Sequence, residues 1–254
     1  SGIVGEMRTL RLAVTFLLVS CTAGFAPVVP FDRRGVRALP SRSGDPNAVI
    51  NSEVLLPSIA LAAVPGAVPS ALAAYGHYMG FILSSACLTA ERLTIKPAMT
   101  VEEEKVMTIA DSLYGLAALL IVGTGYLRVT QYGKGWEFYQ HEPIFWLKLT
   151  LLAVAGAASF FPTTIIIQRS LKQRDAGDTP IEPMSPKLAA RMTSIINAEL
   201  LAFASIPLSA TLMSRGVGYA EWLPWQAGAA PVALALFGLG YKYINEALTW
   251  QEEE

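Results

Sequence analysis

The chain has 254 residues, 53% of them apolar and only 15% charged, against roughly 25% charged for an average soluble domain. A mean hydropathy of +0.43 with a net charge of −1 makes lipid the expected solvent and excludes a polybasic nucleic-acid binder. Two cysteines, Cys21 and Cys87, in separate apolar stretches exclude a disulfide framework or zinc-finger spacing, and imidazole chemistry is limited to His77 and His141.

Residues 1–45 read as an address outside the fold. Met7 is a plausible start; Arg8 and Arg11 precede a short apolar run, residues 12–19, and then small residues at Cys21-Thr-Ala-Gly24, a signal-peptide pattern too short to span a bilayer. Phe25-Ala-Pro27 follows, then Arg33, Arg34, Arg37 and Arg42 among Pro, Ser and Gly, which is transit-peptide composition. The order of the two resembles the bipartite leader of plastid proteins in algae with red-algal plastids. It implies a multi-pass protein of a plastid membrane, thylakoid or inner envelope. Residues 46–69 are apolar but broken by Pro57, Pro65 and Pro69, which argues against a straight spanning helix. An interfacial segment and a further thylakoid-routing signal both fit.

The membrane domain is expected over residues 70–218, with spans at 70–95, 106–130, 143–168 and 188–213. Residues 219–254 then supply a fifth helix near 227–244 and an acidic tail. The fold class is therefore all-α: a polytopic transmembrane bundle of four core helices plus a fifth. Glu102, Glu103 and Glu104 suit the start of the second span, and Pro143 the first turn of the third. Arg92, Lys96 and Lys105 surround the first loop, and Arg169, Lys172, Arg174 and Lys187 the third, so the positive-inside rule places these loops on the cytoplasmic or stromal side.

Ionisable residues in or beside spans are the first candidates for chemistry, because lipid makes them costly. Glu91, Asp111, Arg191 and Glu199 all fall toward the inner side and are expected to form a charge-compensated buried cluster. His77 and Lys148 fall at similar depth from the outer side. His77, Ser84 and Glu91 repeat every seven residues and share one face of the first helix. His77 reads either as a metal or haem ligand or as a residue bonded to a neighbouring helix. Lys148 either snorkels to headgroups or holds a ligand carboxylate. His141 reads as interfacial, and Arg128, Tyr132, Trp136, Phe138 and Tyr139 as an anchoring belt. No complete phosphate-cradling loop, nucleophile elbow or metalloprotease helix is present.

The ordered motifs Asp111-Ser-Leu-Tyr-Gly115, Gly123-Thr-Gly-Tyr-Leu-Arg128, Gly133-Lys-Gly-Trp136, Pro143-Ile-Phe-Trp-Leu-Lys148, Pro162-Thr163 and Leu212-Met-Ser-Arg-Gly216 are similar to a bacterial membrane family, domain of unknown function 2214. That resemblance covers residues 71–218 and implies no particular activity. More remotely, a histidine early in the first helix, an arginine near its far end and a lysine early in a later helix resemble the haem-carrying four-helix membrane protoporphyrinogen oxidases. The resemblance implies a tetrapyrrole held by His77, Arg92 and Lys148. Three functions follow in order of expectation. They are a non-catalytic subunit or assembly partner of a larger, thylakoid-type membrane complex, a haem- or tetrapyrrole-binding protein or oxidoreductase using His77, and a small proton-coupled transporter using Glu91, Asp111 and Glu199.

Overall fold

The computed structural model describes residues 66–177 and 179–251. The leader, most of the Pro-interrupted segment and the last three acids lie outside the described residues. Helix α1 spans Ala67–Thr94, α2 Val101–Leu127 with a π-helical continuation Arg128–Tyr132, and α3 is the short Trp136–Tyr139. Helix α4 spans Pro143–Ala176 and α5 Pro186–Ser214. The last span is built from α6, Trp225–Ala233, a π-helical segment Leu234–Leu239, and α7, Gly240–Leu248. Five helices are long and apolar enough to cross a membrane, and no strand occurs among the described residues.

Local signals explain where the helices start. Thr100 and Glu103 form a reciprocal capping box, Thr100 Oγ1 accepting from the Glu103 amide and the Glu103 carboxylate from the Thr100 amide, which satisfies two otherwise orphaned donors. This begins α2 at Val101, earlier than apolar periodicity alone places it. Ser185 caps α5 through the Leu188 amide, with Pro186 in the first turn. Pro69 sits in the first turn of α1, where a missing donor costs nothing, so α1 takes in the end of the Pro-containing stretch.

Helix α4 outruns its expected end at residue 168, and the reason is charge rather than hydropathy. The guanidinium of Arg169 forks onto Glu104 of α2, with Nη2–Oε1 at 2.5 Å and Nε–Oε1 at 3.0 Å, and Nη2 also donates to the Glu182 carbonyl at 3.1 Å. The polar last turns of α4 are thereby fastened to α2 and to the α4–α5 loop.

Helices α1 and α2 form one antiparallel hairpin and α4 and α5 another; α1 against α5 and α2 against α4 close them into a four-helix bundle, and the last span packs on α4. The seam holds Leu88, Met107, Tyr114, Phe161, Ile166, Met192, Ile196 and Phe203, all nearly inaccessible. Leu72, Leu93, Leu116, Leu201 and Leu208 lie on the outside, the apolar-all-round pattern of helices that face lipid. Close approach of α1 to α2 requires Gly80: a Cβ there would lie 2.9 Å from the Ile121 side chain and 3.1 Å from the Ala117 carbonyl.

Candidate functional site

Three helices bring their acids to one level of the bundle. Asp111 of α2 accepts from the Thr163 hydroxyl of α4 at 2.6 Å, which fixes the relative height of those two helices. Arg92, next to Glu91 on α1, donates to Asn197 of α5 at 2.7 Å, bringing Glu91 and Glu199 to similar height. Glu91, Asp111 and Glu199 consequently lie within electrostatic range of one another. All three are buried, Glu91 and Glu199 at 1% exposure.

Their partners are unequal. Glu91 Oε1 and both carboxyl oxygens of Glu199 have no hydrogen-bond partner among the described residues, whereas Asp111 holds Thr163. Tyr114 lies in the same layer, side chain to side chain with Ser159 and within electrostatic range of all three acids. The residue one turn beyond Asp111 on the same α2 face is therefore part of the layer, although charge alone did not single it out.

Arg191, expected to compensate these acids, is elsewhere. Its Nε and Nη2 donate to the two carboxylate oxygens of Glu246 in α7, at 2.7 and 3.0 Å, so it fastens α5 to the last span. The physical reason is that a tertiary partner outside the four-helix core offers a better fork than a crowded acid layer does. Among the described residues, no group of three His, Cys, Asp or Glu side chains converges tightly enough to hold a metal ion.

Toward the other end of the bundle, His77 Nδ1 lies 3.1 Å from the Ile121 carbonyl and 3.1 Å from Thr124 Oγ1, which seats the imidazole in the α1–α2 seam. Lys148 of α4 and Arg128 at the end of α2 are both within electrostatic range of it, and the Arg128 guanidinium also lies 5.3 Å from the centre of the Tyr78 ring. Arg92 is not part of this group. It stands two turns or more beyond Ser84 at the opposite end, about 22 Å of helix from His77, bonded to Asn197. The structure thus brings His77 and Lys148 into one group and places Arg92 at the other end of α1.

Midway between the layers on the same α1 face is Ser84, fully buried with its hydroxyl unpartnered among the described residues. His77, Ser84 and Glu91 thus form a polar stripe, spaced two helical turns at a time, from the cation end to the acid layer.

Beyond that end His141 serves as a clip: its Nδ1 lies 2.9 Å from the Leu223 carbonyl, and its own carbonyl accepts from the Ala220 amide at 3.0 Å. It ties the start of α4 to the loop after α5. The expected aromatic belt is a packed cluster, with Trp136 edge-on to Trp146 at 5.9 Å and Phe138 stacked on Tyr219 at 5.2 Å. Glu142, which no sequence signal singled out, precedes Pro143 at the mouth of α4; it has no exposed surface and both carboxyl oxygens lack partners among the described residues. Burial raises its pKa above the ordinary carboxylate value, and the nearby charge of Lys134 only partly opposes this.

No curated protein and no solved structure matches the chain. The family model described as predicted membrane protein DUF2214 matches residues 69–218, which take in all four core helices and stop short of the last span. The chain therefore belongs to the DUF2214 family of predicted membrane proteins.

Proposed function

We propose that this chain is a small proton-coupled transporter in which Glu91, Asp111 and Glu199 carry the protons. The observation that carries this reading is the meeting of three acids from three helices inside a membrane bundle, with both oxygens of Glu199 unpartnered among the described residues. Carboxyls grouped in a low-dielectric interior share protons rather than all ionise together, so such a layer can hold a proton and release it again. Ser84 and the outer cation group extend polar chemistry along the same helix face toward the far side of the bundle.

A scaffold subunit, the first expectation from sequence, gains nothing from this layer. Apolar residues of similar volume would join the same helices without the cost of burying acids. Proton coupling consequently ranks above the scaffold reading. The composition of residues 1–45 supports a plastid membrane as the place where it works.

The test is proton flux into sealed liposomes that carry the purified protein and an internal pH-sensitive dye, driven by an imposed pH gradient. Wild type is expected to conduct above protein-free vesicles, Glu199→Gln to lose at least tenfold, and Glu221→Gln, at an exposed acid, to match wild type. Equal flux in wild type and Glu199→Gln, or none above protein-free vesicles, refutes the reading.

A further inference from the structure

Lys148, Arg128 and His77 make a second polar layer, and its charge balance is the opposite of the first. Lys148 lies about five residues into α4, roughly 8 Å along the helix, where it is half-buried; Arg128, also half-buried, ends α2, and both lie within electrostatic range of His77. Among the described residues neither cation has a salt bridge: the ion pairs are Lys96–Glu103, Arg169–Glu104, Arg174–Asp175 and Arg191–Glu246. Among the described residues the buried acid at that end is Glu142, which lies within electrostatic range of Lys134. Two cations close together inside a membrane domain repel each other and carry a desolvation cost that an anion would relieve.

We propose that Lys148 and Arg128 form a binding site for an oxyanion, a phosphate or carboxylate group, on the outer side of the bundle. Lys148 supplies a point charge from α4, and Arg128 a planar fork from α2 that matches an oxyanion in two-pronged geometry. His77 closes the side toward α1. With Nδ1–H donated to the Ile121 carbonyl, Nε2 is left to accept, so the ring can meet a protonated oxygen of the anion. The shared chemistry admits two sources, a lipid headgroup or a free solute. The view that a free oxyanion moves together with protons rests on the transport reading above, but the binding itself does not.

Binding is read as the thermal unfolding temperature of the protein in mild detergent after removal of lipid. One series is titrated with inorganic phosphate and one with short-chain phosphatidylglycerol, each against chloride at equal ionic strength. At least one probe is expected to stabilise wild type saturably. A response to phosphate assigns the site to a solute, and a response to the lipid alone assigns it to a headgroup. Lys148→Met and Arg128→Gln are each expected to weaken the response at least tenfold, and Lys148→Arg to retain it. Having two independent variants keeps the test decisive if Lys148→Met fails to fold.

The proposal is overturned if neither probe acts, or if folded Lys148→Met or Arg128→Gln titrates like wild type. A Soret band in the purified protein that disappears in His77→Ala also overturns it, because the layer would then hold a tetrapyrrole. The measurement is made at equilibrium without a gradient, so its failure is distinct from a failure of proton flux.

Discussion

Replacing Gly228 by alanine tests how the last span, which lies outside the family match, is held to the rest. A Cβ at this position of α6 would lie 2.2–2.3 Å from three atoms of the Trp146 indole of α4. Ordinary carbon contacts are about 3.5–4.0 Å, so one partner must move by more than an ångström. Trp146 is poorly placed to yield, because its Nε1 donates to the Gln140 carbonyl at 2.9 Å and its ring is held edge-on by Trp136 and Phe145. The overpacking cost is about 1–3 kcal/mol. Gly238, in the π-helical part of the same span, has open space where its Cβ would be, and alanine there should gain up to about 1 kcal/mol of helix propensity. The two variants should therefore move the unfolding temperature in opposite directions, at about 2–4 °C per kcal/mol for a chain of this size. The assay is thermal unfolding followed by tryptophan fluorescence in detergent, with protease sensitivity after residue 214 as a local readout. If Gly228→Ala is as stable and as protease-resistant as Gly238→Ala, the last span is not docked through Trp146.

Arg169→Met should destabilise the bundle by about 3 kcal/mol, because it leaves Glu104 buried without its fork. Adding Glu104→Gln should recover most of that loss in the same unfolding assay, and a failure to recover would place the cost elsewhere in the α4–α5 loop. Glu142 supplies a pH effect. Its folded pKa is raised, so the folded state binds the extra proton between the ordinary carboxylate pKa and the raised value, and stability falls as pH rises through that interval. Glu142→Gln should remove this part of the pH dependence, measured as the difference in unfolding temperature between the variant and wild type across pH 4–8; parallel curves would show that Glu142 does not titrate in that range.

The five spans were legible because a bilayer leaves little choice. About 20 consecutive apolar residues with no external hydrogen-bond partner must form helices, and charge and proline mark their approximate ends. The common face of His77, Ser84 and Glu91 was equally legible, since helical periodicity fixes it whatever surrounds the helix. Pairing across helices was not, and Arg191 and Glu142 show why. Arg191 lies near Glu199 in sequence, yet its fork reaches Glu246, 55 residues away in a helix whose docking depends on Gly228 meeting Trp146. Glu142 carries no sequence signal of burial, yet it has no exposed surface in the packed bundle. Composition and period are properties of one segment at a time, and they set solvent, helix count and face. Which acid meets a cation and which is buried without a hydrogen-bond partner depends on the height and rotation of one helix against another. Those are decided by close contacts such as Gly80 on Ile121 and Thr163 on Asp111, which exist only in the packed bundle.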